Sequence, residues 1–303
     1  MLIVKVLRNR NFILVSAVVL GLLIGKPVAA FTEPLVLPAL AVVMTLSTAS
    51  ITSRDFATLR TRIRLILVAL IINYLITGGV ILLMGRLLIQ DSELWIGLVV
   101  IAAVPPGIAA VPWSHILGGD ILLSLTGVMI SYLLALVLTP AIIILFLGMG
   151  FFSPFNLLIL LGELVIIPFL ASRILLMTGL AKRIDRWRGT ITNWSFFIVL
   201  FTILGLNRAA FFTEYDILVK LAIIALIASF GLSYIVELVA KFFGLKQPSI
   251  VSLILVGAMK NFGLASGILL SLFSERATIP ASIMTVFFLS RTIWLGFHFG
   301  RES

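Results

Sequence analysis

Lys260 stands near the middle of an apolar stretch, residues 252–273, that holds no other charged side chain. An ammonium at the centre of a bilayer helix costs roughly 2.5–3.5 kcal/mol even on the lenient insertion scale, so such a charge needs a partner, a cavity or a substrate. Asn261 and Ser266 follow it in the same stretch. Arg291 lies deep in the last apolar stretch, and Asn73 is a mid-stretch amide near the start of the chain. Glu163 sits about nine residues into another, roughly 13 Å along a helix at 1.5 Å per residue. These side chains offer charge compensation and recognition of an anion, not bond making. His115 and His298 have no serine partner at membrane depth, which argues against an intramembrane hydrolase. Cysteine is absent, which excludes disulfides, thiol nucleophiles and thiolate metal sites.

The elements that carry these residues follow from composition. Of 303 residues, 61% are hydrophobic and 11% charged, with a mean hydropathy of +1.26, far outside the range of a soluble domain. The net charge of +10 does not point to nucleic acid, because most Lys and Arg fall in short clusters between apolar stretches and no soluble basic domain carries them. Cutting the chain at polar and Gly/Pro punctuation gives ten apolar segments: 12–30, 34–51, 63–89, 94–117, 119–149, 155–178, 190–207, 216–243, 249–273 and 277–299. Backbone groups in lipid must be satisfied internally, and no alternating barrel pattern is present, so these are transmembrane helices of an all-α polytopic membrane protein. The first segment follows Lys5, Arg8 and Arg10 as a signal peptide would, but no clean small-residue cleavage site ends it, so it is expected to be retained.

Alternate loops differ in charge. One set holds Lys5, Arg8, Arg10, Arg54, Arg60, Arg62, Arg64, Lys182, Arg183, Arg186, Arg188, Lys241, Lys246 and Arg301; the other holds Lys26, Arg86, Arg208, Lys220 and Arg276. Fourteen against five places both termini in the cytoplasm of a cell (inner or plasma) membrane protein. Two segments are interrupted. The fourth carries Pro105, Pro106, Gly107 and Pro112, and the ninth carries Gly257, Asn261, Gly263 and Gly267 around Lys260. Each is fourth in a block of five, so residues 1–150 and 151–303 read as two five-helix halves of opposite orientation. Paired broken helices in inverted repeats mark a transporter site at the midplane.

Val104-Pro105-Pro106-Gly107-Ile108-Ala109-Ala110, the later Leu138-Thr139-Pro140-Ala141, and Val256-Gly257-Ala258-Met259-Lys260-Asn261-Phe262-Gly263-Leu264-Ala265 together resemble the bile acid:sodium symporter family. The last stretch is similar to that family's Glu-Val-Gly-Met-Gln-Asn-Ser-Gly-Leu-Ala. The resemblance implies a panel domain of spans 1, 2, 6 and 7 and a core domain of spans 3–5 and 8–10. It also implies two broken helices crossing in the core, substrate bound beside the crossing, and alternating access by movement of panel against core. The family's sodium ligands Glu and Gln fall on Val256 and Lys260, and its Ser-Asn pair on Ala110 and Val111. Hard cations need oxygen ligands, so sodium is not expected to bind. The family's His-Asn pair falls near Thr292 and Ile293. The cysteine of the arsenite-exporting relatives has no counterpart.

The expected function is secondary transport of an organic anion, a small or amphipathic carboxylate or sulfonate, without sodium, cofactor, metal or enzymatic chemistry. The candidate substrate contacts are Lys260, Asn261, Arg291, Thr292, Asn73, Pro106, Gly107 and Ser266. Lys260 is read as a fixed substitute for the sodium ion, with a proton carrier and an inert lysine as alternatives. Glu163 is read as a gate that pairs with Lys260 or Arg291 in one state and releases in another, or as a group hydrogen-bonded within the panel or simply protonated by burial. Arg291 is read as an anion contact or a cap on a broken helix. A cation/proton antiporter is disfavoured because no Asp lies inside a span, and a receptor because no signalling domain is appended.

Overall fold

The computed structural model describes residues 7–49, 59–150 and 153–299, with side chains from residue 62 onward in the second stretch. Lys5, Arg54, the Arg60 side chain and Arg301 lie outside the described residues. All regular structure among those described is helical. We number the helices α1 Arg10–Ile24, α2 Lys26–Thr48, α3 Arg62–Leu88, α4a Ser92–Ala103, α4b Ala110–Ile116, α5 Ile121–Leu147, α6 Pro154–Met177, α7 Leu180–Leu206, α8 Tyr215–Phe242, α9a Gln247–Gly257, α9b Phe262–Leu272 and α10 Ile279–Phe299. Among the described residues eight spans are long and apolar enough to cross a membrane, with α9a and α9b counted as one; α1 and α4a are shorter apolar helices.

Two boundaries differ from the sequence reading. The first turn comes at Gly25, not beyond residue 30: Gly25 has φ +79°, and Pro27 in the first turn of α2 suits a new helix start. The seventh helix starts at Leu180, ten residues before the expected 190, behind Gly179 in the left-handed conformation. Its first turns are polar because they are solvated, not because they are loop.

Among the described residues three helices each contain a single wide π-helical stretch: Ile71–Thr77 in α3, Gly162–Ile166 in α6 and Ile227–Gly231 in α8. Such bulges shift side chains around the helix and concentrate at functional sites. The first carries Asn73 and Thr77, which face the α9 interruption.

Contacts between loops follow chain parity. Lys26 pairs with Glu275 at 2.7 Å, and Arg276 pairs with Asp91 at 3.0 Å and Glu214 at 3.0 Å, all on one face. Asp91 also caps α4a, accepting from the backbone N–H of Glu93 and Leu94. Burial pushes the Asp91 carboxyl up, but the Leu94 N–H, Arg276 and the Glu93 N–H outweigh it and hold it below the usual carboxylate range. On the opposite face Arg62 pairs with Asp120 at 2.9 Å, the Asp120 N–H donates to the Pro248 carbonyl, and Arg8 donates to the Arg186 carbonyl.

α7 lies chiefly against α1 and α2, and α6 against α2 and α7. α4a packs on α3, α5, α9b and α10, while α8 packs on α10 and α9a. The tightest approach places Gly97 of α4a so that a Cβ would sit 2.2 Å from the Ala277 carbonyl oxygen, whereas Gly79 of α3 faces open space. Gly97→Ala is therefore expected to lower stability by about 1–3 kcal/mol through overpacking, and Gly79→Ala to leave it equal or raise it by up to about 1 kcal/mol. Denaturation of the two variants in detergent compares them directly.

Candidate functional site

The chain breaks at residues 104–109 and 258–261 leave backbone groups without helical partners, and in lipid each must find another. The two breaks supply each other. The Lys260 ammonium donates to the carbonyls of Ala102 at 2.8 Å and Val104 at 3.1 Å, the last turn of α4a, and to Asn73 Oδ1 at 2.9 Å. The Tyr74 ring closes the remaining side at 4.9 Å. Thr139 Oγ1 donates to the Ala103 carbonyl at 2.9 Å, and the Asn261 N–H donates to the Pro105 carbonyl at 3.0 Å. Carbonyls 102 to 105 are thus all partnered, by α9 and α5. A cation at a helix C-terminus also meets the negative end of the helix dipole.

The reverse connection uses the π-helical stretch of α3. Asn73 Nδ2 lies 2.8 Å from the Met259 carbonyl and 3.0 Å from that of Val256, and Thr77 Oγ1 donates to the Gly257 carbonyl at 3.0 Å. Arg291 Nη1 donates to the Ala258 carbonyl at 3.3 Å and to Ser233 Oγ at 2.9 Å. Asn261 Oδ1 accepts from the Leu264 N–H at 3.0 Å, capping α9b, while its Nδ2 donates to Tyr132 Oη. Met259 and the Lys260 carbonyl approach Gly107 so closely that a Cβ there would stand 3.1 and 3.4 Å from them.

A cavity of about 70 Å³ lies against the crossing, bordered by Gly107, Met259, Asn261 and Thr285 on one side and by Leu14, Phe196 and Val199 of α1 and α7 on the other. It shares Arg10, Ala109 and Phe196 with a second cavity of about 430 Å³ that reaches His115, Arg188 and Asn193. A third, about 350 Å³ and almost wholly apolar, lies between α2, α4b, α5 and α6. On the far side Asn207 at the end of α7 donates to Thr278 Oγ1 at 2.7 Å and Ser282 Oγ at 2.8 Å.

Lys260, Asn261, Asn73, Pro106 and Gly107 therefore meet at one place, with Arg291 behind the α9 interruption. Arg291 is fully buried over Phe288, lines none of these cavities, and serves the broken helix as a cap. Thr292 bonds back to the Phe288 carbonyl, and Ser266 Oγ is buried without a partner. In this structure Glu163 pairs with neither Lys260 nor Arg291: it is exposed on α6, whereas Leu160, Leu161, Leu164 and Val165 take the buried face. Glu237 pairs with Lys241, four residues on, at 2.6 Å and also meets His298 at 3.1 Å.

The sodium bile acid symporter family matches residues 37–220, more than half of the chain. The chain belongs to that family. It is therefore a multi-pass membrane protein of a symporter class, and that class consists of transporters, not enzymes. The matched segment contains the first interruption and ends before Lys260. Comparison with curated proteins finds no significant match.

Sequence reasoning passed over Tyr74, Thr77 and Tyr132, which hold the crossing, and read Arg10 only as an orientation charge. The signal for Tyr74 and Thr77 was their place within four residues of Asn73. Lys260→Met leaves three buried acceptors unpaired. At about 1–3 kcal/mol for each unsatisfied group, it is expected to lower stability by about 3 kcal/mol or more. Asn73→Leu removes the same network from the other side, so the double variant should fall short of additivity by about 0.5–3 kcal/mol. A double-mutant cycle measured by denaturation in detergent checks both.

Proposed function

We propose that the protein is a sodium-independent secondary transporter of organic anions in which the Lys260 ammonium takes the place of a bound sodium ion. The observation that carries this reading is the coordination of Nζ by three oxygens at 2.8–3.1 Å, two from the end of α4a and one from Asn73 of α3. Carbonyl and amide oxygens are the ligands a hard cation uses, and here an ammonium occupies their centre. Val256, Ala110 and Val111, at the positions where the family resemblance expects sodium ligands, bring no side-chain oxygen. Three acceptors match the three N–H bonds of an ammonium; a neutral amine has two and would turn a lone pair toward a carbonyl. This favours a fixed cation over a proton carrier.

The same reading takes the chain as ten membrane helices in two inverted halves, residues 1–150 and 151–303, with α1, α2, α6 and α7 as a panel and the rest as a core. Support comes from the packing of α7 on α1 and α2, the cavities between these helices and the crossing, and the corresponding positions of the two interruptions. Both termini are assigned to the cytoplasmic side of the cell membrane on the Lys/Arg distribution. The cleft beside the crossing would then face the cytoplasm, with Asn207 and the Lys26–Glu275 pair closing the far side.

In proteoliposomes, uptake of a labelled organic sulfonate should proceed at the same rate with sodium or choline outside; a steep dependence on a sodium gradient would remove the sodium-independence claim. The chain has no native cysteine. Bridging Lys26→Cys to Glu275→Cys with a short bis-methanethiosulfonate, which links the two thiols through disulfides, should abolish transport, and reduction should restore it. Full activity of the bridged protein would exclude opening at this face.

A further inference from the structure

The anion reading leaves a question that Lys260 and Arg291 do not answer. The Lys260 ammonium is enclosed by three oxygens and a tyrosine ring, and the Arg291 guanidinium lies behind the α9 interruption. The Lys260 ammonium has no N–H to spare, and Arg291, whose Nε and Nη2 also lack hydrogen-bond partners, borders neither cavity at the cleft. Arg10 lines both the cavity at the crossing and the larger one that leads away from it. Its guanidinium carbon lies 4.0 Å from the centroid of the Trp113 ring, a cation–π contact that uses the π face and leaves the N–H groups for a ligand. Its Nε is buried and has no hydrogen-bond partner.

A purely structural role accounts poorly for this arrangement. Arg10 is the first residue of α1, where a cation opposes the helix dipole instead of stabilising it. No Asp or Glu borders either cavity, and among the described residues no carboxylate stands within ion-pair distance of Arg10. The other charged or titratable side chains along them are Arg188, which pairs with Asp185 at 3.1 Å, His115 and the enclosed Lys260. The walls beyond Arg10 are apolar, with Leu14, Phe196, Val199 and Phe288.

We propose that Arg10, held over the Trp113 ring, is the substrate-binding cation of the cleft and takes the carboxylate or sulfonate head of an amphipathic anion whose apolar body lies toward the crossing. A planar guanidinium presents two parallel N–H bonds to two oxygens of a planar carboxylate or of a tetrahedral sulfonate. The inference rests on the organic-anion reading and names the residue that would carry it.

The test is ligand-dependent thermal stability of the full chain in neutral detergent, titrated with benzenesulfonate and benzoate, with uncharged benzamide as control. Wild type should be stabilised by both anions and not by benzamide. Arg10→Gln should unfold at the wild-type temperature without ligand and bind the anions at least tenfold more weakly. Arg10→Lys, which keeps the charge but loses the planar fork, should fall between them and carries the test if Arg10→Gln does not fold. Anion binding by Arg10→Gln within twofold of wild type overturns the role of Arg10 and leaves the organic-anion reading standing. Absence of stabilisation of wild type by either anion overturns both. An Arg10-dependent shift produced by phosphatidylglycerol but by neither aromatic anion would make the residue a lipid anchor and overturn the proposal.

Discussion

Irregular backbone inside a membrane is tolerated only if every freed N–H and C=O finds a partner within the protein. Residues 104–109 and 258–261 are two such segments, and they are stable because they lie against each other. The Lys260 ammonium joins the end of α4a to the α3 amide that holds the end of α9a. Nearly everything else at the centre of the molecule follows from that requirement: the π-helical stretch that turns Asn73 and Thr77 toward α9, the Thr139 hydroxyl aimed at Ala103, and the arginine spent on the Ala258 carbonyl. None of these groups could be replaced by an apolar side chain of equal size without stranding a buried acceptor.

Much of this was legible in the chain. Pro105-Pro106-Gly107 marks the first break because proline removes N–H donors, and the glycines around Lys260 mark the second because they weaken the helix there. The polar residues of the crossing stand out against an apolar background. Direction is what hydropathy did not supply. Counting residues along a helix gives Glu163 a position but not an azimuth, and α6 is apolar nearly all round, so its buried face leaves no periodic signal. The turn at Gly25 was missed for a related reason: the apolar run continues through it, and only Gly-Lys-Pro marks the reversal.

Arg10 shows the converse difficulty. Basic residues beside a first span are so well explained by membrane orientation that a second role for one of them is invisible until its surroundings are known. Its partner Trp113 is distant in sequence. Only the fold places the indole under the guanidinium, beside a cleft that reaches the crossing.

A cation that is part of the chain differs thermodynamically from one that binds. A dissociable ion stabilises the state that holds it in proportion to the logarithm of its concentration, so a gradient of that ion can drive a cycle. A lysine contributes the same electrostatic bridge at every stage and at every salt concentration, and it transmits no gradient. On the proposed reading, the crossing is therefore always assembled, and the free energy that shifts the protein between its two faces must come from the substrate itself. Burial of a guanidinium with no anion opposite is unfavourable, and neutralising it by an incoming carboxylate or sulfonate supplies a term that differs between loaded and empty protein. Coupling would then reside in the anion site on α1, across the cleft from the lysine, and the net direction of transport would follow the gradient of the substrate alone.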